Sequence, residues 1–142
     1  MRDRLTKERR SWNMSRIRGK DTSAEKRVRS KLHRMGFRFR IHRKDLPGNP
    51  DIVFVSRRIA VFVHGCFWHR HRGCKNCTTP TNRREFWIEK LEGNFARDKR
   101  THRKLRTLGW KTFVIWECET ENAARLEKRL AKLVQNLEIG KH

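Results

Sequence analysis

Apolar and polar positions alternate along this chain with two different periods, and the changes of period mark the elements. Ala24, Val28 and Leu32 recur every four residues, which places them on one face of a helix. Asp21 or Thr22 is the expected N-cap, and Gly36 ends the pattern. Phe37, Phe39 and Ile41 then alternate with Arg38, Arg40 and His42, the signature of a half-exposed strand. Leu46-Pro47-Gly48-Asn49-Pro50 reads as a turn. Residues 51–55 predict a second strand, Ser56-Arg57-Arg58 a tight connection, and residues 59–63 a third strand antiparallel to the second.

Residues 72–82 lack periodicity and predict a loop. A long helix is expected over residues 83–108, with Phe86, Trp87, Leu91, Phe95, Leu105 and Leu108 as its apolar positions. After Gly109, residues 111–116 predict a fourth strand, central and buried. Ala123, Leu126, Leu130, Leu133, Val134 and Leu137 give an amphipathic final helix. The order α-β-β-β-α-β-α predicts an α/β fold, a mixed β-sheet flanked by helices on both faces. Residues 21–142 read as a single domain. Residues 1–20 are polar and basic and read as an arm that orders on a partner. Met14 and Ile17 are three apart, so a helix there would place both on one face.

Charge narrows the class of partner. Lys and Arg total 37 against 15 Asp and Glu, a formal charge of +22 spread over the whole 142 residues. Such a field attracts a polyanion and opposes self-association, so a monomer on nucleic acid is the expectation. An anionic membrane is the second candidate, but no Lys/Arg-rich helix with a broad apolar face stands out. No apolar run approaches a membrane span, and MRDRLTKERR has no apolar core of a secretory signal.

The chemistry is concentrated at the end of the third strand. His64-Gly65-Cys66-Phe67-Trp68-His69-Arg70-His71 puts three imidazoles, a thiol and two large aromatics together. Imidazole and thiolate suit zinc or proton transfer, and aromatics beside arginine suit stacking on bases. Without an export signal, the four cysteines read as metal ligands rather than disulfides. Cys66, His71, Cys74 and Cys118 could close a four-ligand structural zinc site, although Cys77 competes with Cys74 by ligand chemistry alone. Thr22-Ser23-Ala24-Glu25 reads as a capping box.

Pro50-Asp51 opens one strand of a hairpin whose partner ends at His64, a layout that resembles the PD-(D/E)XK nuclease core. That resemblance implies a restriction-endonuclease-like fold with a metal at Asp51. The acid-x-lysine of that core is missing, and Phe62-Val63-His64 stands in its place. The segments HGCFWHRH, TNRREFWIEKLEGNFARDKR, LGWKTFVIWEC and RSWNMSRIRGKDTSAEKRVRSKLHRMGF together resemble the very-short-patch-repair (Vsr) endonuclease family over residues 10–120. The resemblance implies an enzyme that nicks DNA 5′ of the thymine in a T:G mismatch left by deamination of 5-methylcytosine. It implies catalytic magnesium and structural zinc, a cytoplasmic, nucleoid-associated, bacterial-type setting, and links to a DNA cytosine-5 methyltransferase and mismatch-repair proteins.

Carried onto this sequence, the family pattern makes Asp51 the magnesium carboxylate and His69 the general base. His64 would contact the phosphate or assist proton transfer, and Asp98 would assist a histidine. Glu25 would orient His69 or bind a metal-linked water. The family often has threonine where this chain has Val63, whose main-chain carbonyl can still bind magnesium. The pattern favours Cys74 over Cys77. It also implies that Phe67, Trp68 and Trp87 wedge into the duplex from the major groove, and Met14 and Ile17 from the minor groove. An extended Phe67-Trp68 segment would leave at least one of these rings exposed. Two other functions compete: a nuclease of the same core cutting matched DNA, and a non-catalytic zinc-stabilised DNA-binding module. The second leaves Asp51, His64 and His69 without a role.

Overall fold

Helix α1, Ser23–Arg34, starts where Thr22 Oγ1 accepts a hydrogen bond from the Glu25 amide at 3.2 Å. A computed structural model describes residues 22–139. The arm of residues 1–20, with Met14 and Ile17, and the alternative cap Asp21 lie outside the described residues. Ala24, Val28 and Leu32 form the buried face of α1, as their spacing predicts. Gly36 then adopts φ +88°, a conformation that costs glycine little, and the chain turns towards the sheet.

Four strands follow in the order β1-β2-β3-β4: β1 (Arg40–Ile41), β2 (Ile52–Phe54), β3 (Ile59–His64) and β4 (Lys111–Trp116). Pairing is antiparallel from β1 to β3 and parallel between β3 and β4, so the sheet is mixed. β1 is shorter than the Phe37–Ile41 alternation predicts. Phe37 and Phe39 pack against the core from outside the strand, with Phe39 stacked on His33 at 4.6 Å, and His42 breaks the ladder at φ +58°.

The fourth strand corrects an expectation. Among the described residues β4 is an edge strand, and β3 lies between two neighbours. Its apolar run is covered by layers above and below rather than by strands on both sides. Phe113 and Ile115 face one core cluster, while Val114 packs against the other. Helix α2, Arg84–Thr107, makes the crossover from β3 to β4. A short helix α3, Glu117–Thr120, was not expected; Glu119 Oε1 accepts from the Trp116 amide at 2.8 Å at its start. Helix α4, Ala123–Ile139, completes the order.

Period-two alternation along β3 divides the core. Ile59 and Val61 face Val28 and Leu32 of α1 and Leu126, Leu130, Leu133 and Leu137 of α4. Ala60 and Phe62 face Leu105 of α2. Helices therefore cover both faces. Each buried leucine of α4 stabilises the fold by about 1.5–3 kcal/mol. The Lys31–Glu127 pair at 2.7 Å is exposed and screened by solvent, so apolar burial docks α4. Because β3 and β4 run parallel with His64 opposite Trp116, both strands deliver their ends to the same edge.

Candidate active site and metal centre

At that edge a cleft of about 530 Å³ opens between the 42–50 loop, α1 and α2. Asp51 sits at its base. The Asp51 amide donates to the Val61 carbonyl at 3.0 Å, and its carboxylate accepts from the Val63 amide at 2.7 Å. In an extended strand the amide and carbonyl of one residue face the same neighbour, so the Val63 carbonyl lies on the Asp51 side. Glu25, only 3% exposed, hydrogen-bonds Asp51 from α1 and has Arg29 at 3.8 Å. Thr22 thus supplies its half of the capping box, while the Glu25 carboxyl meets Asp51 and Arg29 in the cleft.

Burial, and next the Glu25 charge, push the Asp51 carboxyl up to about 7, against the pull of the Val63 amide and Arg29. Two buried carboxyl groups in contact cannot both ionise cheaply, and a hard divalent cation can take the place of the shared proton. The oxygen donors of Asp51 and the Val63 carbonyl, with Glu25 holding the Asp51 carboxyl, fit such an ion.

The imidazoles form the opposite wall. His64, at the end of β3, is 5% exposed and stacks on His69 with ring centres 3.9 Å apart and planes at 7°. His69 lies on a turn whose amide donates to the Gly65 carbonyl at 3.1 Å. Its Nδ1 is 2.6 Å from Asp98 Oδ2 on α2. An ionised carboxylate only accepts, so this contact selects the Nδ1–H tautomer and leaves Nε2 as the acceptor. Asn94, one turn earlier on α2, donates to the Trp68 carbonyl at 3.2 Å and accepts from Arg97 at 3.0 Å.

Beside the cleft, Cys66, His71, Cys74 and Cys118 bring one ligand atom each to within 4.8 Å of one another. All four cysteines are free thiols, and Cys77 is not part of the cluster. His71 Nδ1 lies 3.6 Å from the Cys66 sulfur and 3.5 Å from that of Cys118, and its ring stacks on Trp116 at 4.2 Å. Burial pushes the Cys66 thiol up to about 12. A cation would supply the positive charge that a buried thiolate lacks. Three thiols and an imidazole suit a borderline-soft ion such as zinc in a closed site. Helix α3 brings Cys118 into the cluster.

Phe67, Trp68 and Trp87 form a half-buried aromatic group. Trp68 and Trp87 ring centres are 5.9 Å apart, and Phe67 meets both edge-on at 5.1 and 5.7 Å. The segment is a turn and not extended, which corrects the expectation drawn from an extended segment. Both rings meet Trp87 of α2, and both residues are partly buried.

The cleft thus collects Glu25, Asp51, Val63, His64, His69 and Asp98, and the thiol cluster collects the four expected ligands. Asn94, Arg97, Thr101 and Lys44 also line the cleft and were not singled out from the sequence. A signal existed for the helical ones. Leu91, Asn94, Asp98, Thr101 and Leu105 recur three and four apart, so polar residues interrupt an otherwise buried stripe.

A family model for the DNA mismatch endonuclease Vsr matches residues 2–76. The chain belongs to the Vsr family. It is 52% identical over 134 residues to the type II nicking enzyme V.XorIIP of Xanthomonas oryzae pv. oryzae, covering 94% of this chain and 98% of that protein. It is 43% identical over 117 residues to the DNA mismatch endonuclease Vsr of Escherichia coli, covering 82% of this chain and 74% of the relative. The type II nicking enzyme V.NmeAIP of Neisseria meningitidis is 39% identical over 137 residues, covering 96% and 97%. The Vsr family is one of DNA endonucleases, and the histidine-rich cleft lies partly inside the matched residues. Among the described residues no helix is long and apolar enough to cross a membrane.

Proposed function

We propose that this protein nicks double-stranded DNA on the 5′ side of the thymine in a T:G mismatch and so starts very short patch repair in the bacterial cytoplasm. The convergence of Asp51, His64 and the His69–Asp98 pair in one cleft carries this reading.

Hydrolysis of a phosphodiester needs an activated water and a counter to the charge that builds on the phosphoryl oxygens. His69 accepts the proton of the attacking water at Nε2. Asp98 holds the ring in that tautomer and stabilises the imidazolium that results. His64, stacked on His69, contacts the phosphate, and Glu25 orders the Asp51 carboxyl. Asp51 and the Val63 carbonyl would hold magnesium, which supplies Lewis-acid charge neutralisation when bound. Cys66, His71, Cys74 and Cys118 would hold zinc as a structural ion, with Cys74 rather than Cys77 as third thiolate.

Selectivity follows from the aromatic group. A T:G pair is poorly stacked, so separating it from its neighbour costs less than at a matched step. Phe67, Trp68 and Trp87 would enter there from the major groove, with Met14 and Ile17 of the 1–20 arm entering from the minor groove. Residues 21–142 form the endonuclease domain. The protein acts as a monomer, and a DNA cytosine-5 methyltransferase and mismatch-repair proteins are its functional partners.

The test compares nicking of a T:G duplex with its fully matched counterpart, with and without magnesium. Magnesium-dependent cleavage of the thymine strand in the mismatched duplex alone is expected. Equal cutting of matched DNA would replace this reading with a matched-site nuclease, and no cutting of either would leave a binding module.

A further inference from the structure

The 42–50 loop forms a wall of the cleft and is shaped in advance. His42, Gly48 and Asn49 all have positive φ, at 58°, 76° and 48°. A Cβ on Gly48 would collide with the Thr101 methyl group and crowd Phe62, so the loop is seated directly on α2 and β3. Arg43 grips Asp45 through two contacts at 2.6 and 2.5 Å. That fork neutralises the carboxylate beside Lys44. Lys44 itself lines the cleft, is exposed, and makes no ion pair with any described residue.

The rest of the cleft is short of positive charge. Glu25, Asp51 and Asp98 are carboxylates facing it, and Arg97 already donates to Asn94. A DNA strand entering this space brings a phosphate every nucleotide. We propose that Lys44 holds a backbone phosphate of the cut strand next to the scissile one, and so sets where the strand lies against Asp51 and His69. Lys44 is exposed on the loop wall while Asp51 lies at the base of the cleft, which fits an ammonium at the rim rather than over the reacting phosphate. The proposal rests on the reading of the cleft as the cleavage site.

The experiment measures binding in magnesium-free buffer of T:G duplexes that carry a single uncharged methylphosphonate at each phosphate flanking the nick in turn. Wild type, Lys44→Ala and Lys44→Arg are compared. On unmodified DNA, Lys44→Ala should lose about 3- to 10-fold in affinity, and its log K against log salt slope should flatten by about one. Lys44→Arg should recover most of the loss. At one flanking position the methylphosphonate should weaken wild type but not Lys44→Ala, because the same contact is already gone. Losses that add at every position, or an unchanged affinity and salt slope, would overturn the proposal. Nicking by the wild type in magnesium is read separately. Coupled losses without any nicking would keep the Lys44 contact and reject the endonuclease reading.

Discussion

Asp98 reaches from the middle of α2 to hold the His69 ring at 2.6 Å, although 29 positions separate them in the chain. The contact ties α2 to the histidine wall of the cleft. Asp98→Asn keeps the shape but can donate as well as accept, so it no longer imposes the Nδ1–H tautomer. A fall in single-turnover nicking of about 100-fold or more is expected, the scale of losing a general base, with little change in DNA affinity. His69→Ala should match it, and the double variant should be no worse than either single one. Independent, multiplying losses would separate the two residues.

Asp51 should make the metal-free protein sensitive to pH. Its carboxyl titrates near 3.8 when unperturbed and is pushed up to about 7 in the fold. A raised folded value means that the folded state binds the proton more tightly. The associated stability is full below the unfolded value and is lost as pH rises through about 7. Urea midpoints in magnesium-free buffer should therefore fall between pH 5 and 8, and Asp51→Asn should flatten that slope. Added magnesium should restore stability at pH 8 in the wild type alone. A slope that survives in Asp51→Asn would assign it to other groups.

The gathering of imidazoles and a thiol at the end of β3 was legible in the sequence. Imidazoles and a thiol beyond a short apolar run have few structural explanations, and His64, His69 and Cys66 all lie where that run ends. The edge position of β4 was not legible, because an apolar run looks the same whether flanking strands or facing helices bury it. The turn at 65–71 was hidden for a different reason: Arg70 takes φ +57°, and arginine gives no hint of that conformation. Lys44 escaped notice because its place in the cleft depends on how a whole loop folds back.

Cys118 should matter most to stability. About one zinc per chain should copurify, and Cys118→Ser should lower both zinc content and the thermal midpoint, since α3 would lose its tie to the 66–74 loop. Cys77→Ser should keep both. Equal loss in the two variants would count against the cluster as it stands.

Trp68→Ala should weaken binding to T:G by about 10- to 100-fold while leaving non-specific, salt-dependent binding nearly unchanged. The ring packs on Phe67 and Trp87, so a structural loss must be separated from a lost wedge. Trp68→Phe serves that purpose and should recover part of the preference. A Trp68→Ala protein that still prefers T:G to T:A would assign discrimination to hydrogen bonds.

Gly48→Ala should cost about 1–3 kcal/mol through backbone strain at φ +76° alone. Pairing it with Thr101→Ala removes the collision with the methyl group and should recover only part of the loss. Denaturant midpoints of the single and double variants check this.

The parallel pairing of β3 with β4 also sets a schedule. A ribosome delivers His64, His69, Cys66 and Cys74 well before it delivers Trp116 and Cys118, and α2 must be spun out in between. A chain that stops short of Lys111 has neither the strand that pairs with the His64 end of β3 nor the last thiol of the cluster. The cleft and the thiol cluster are therefore completed together, by the same late stretch of chain.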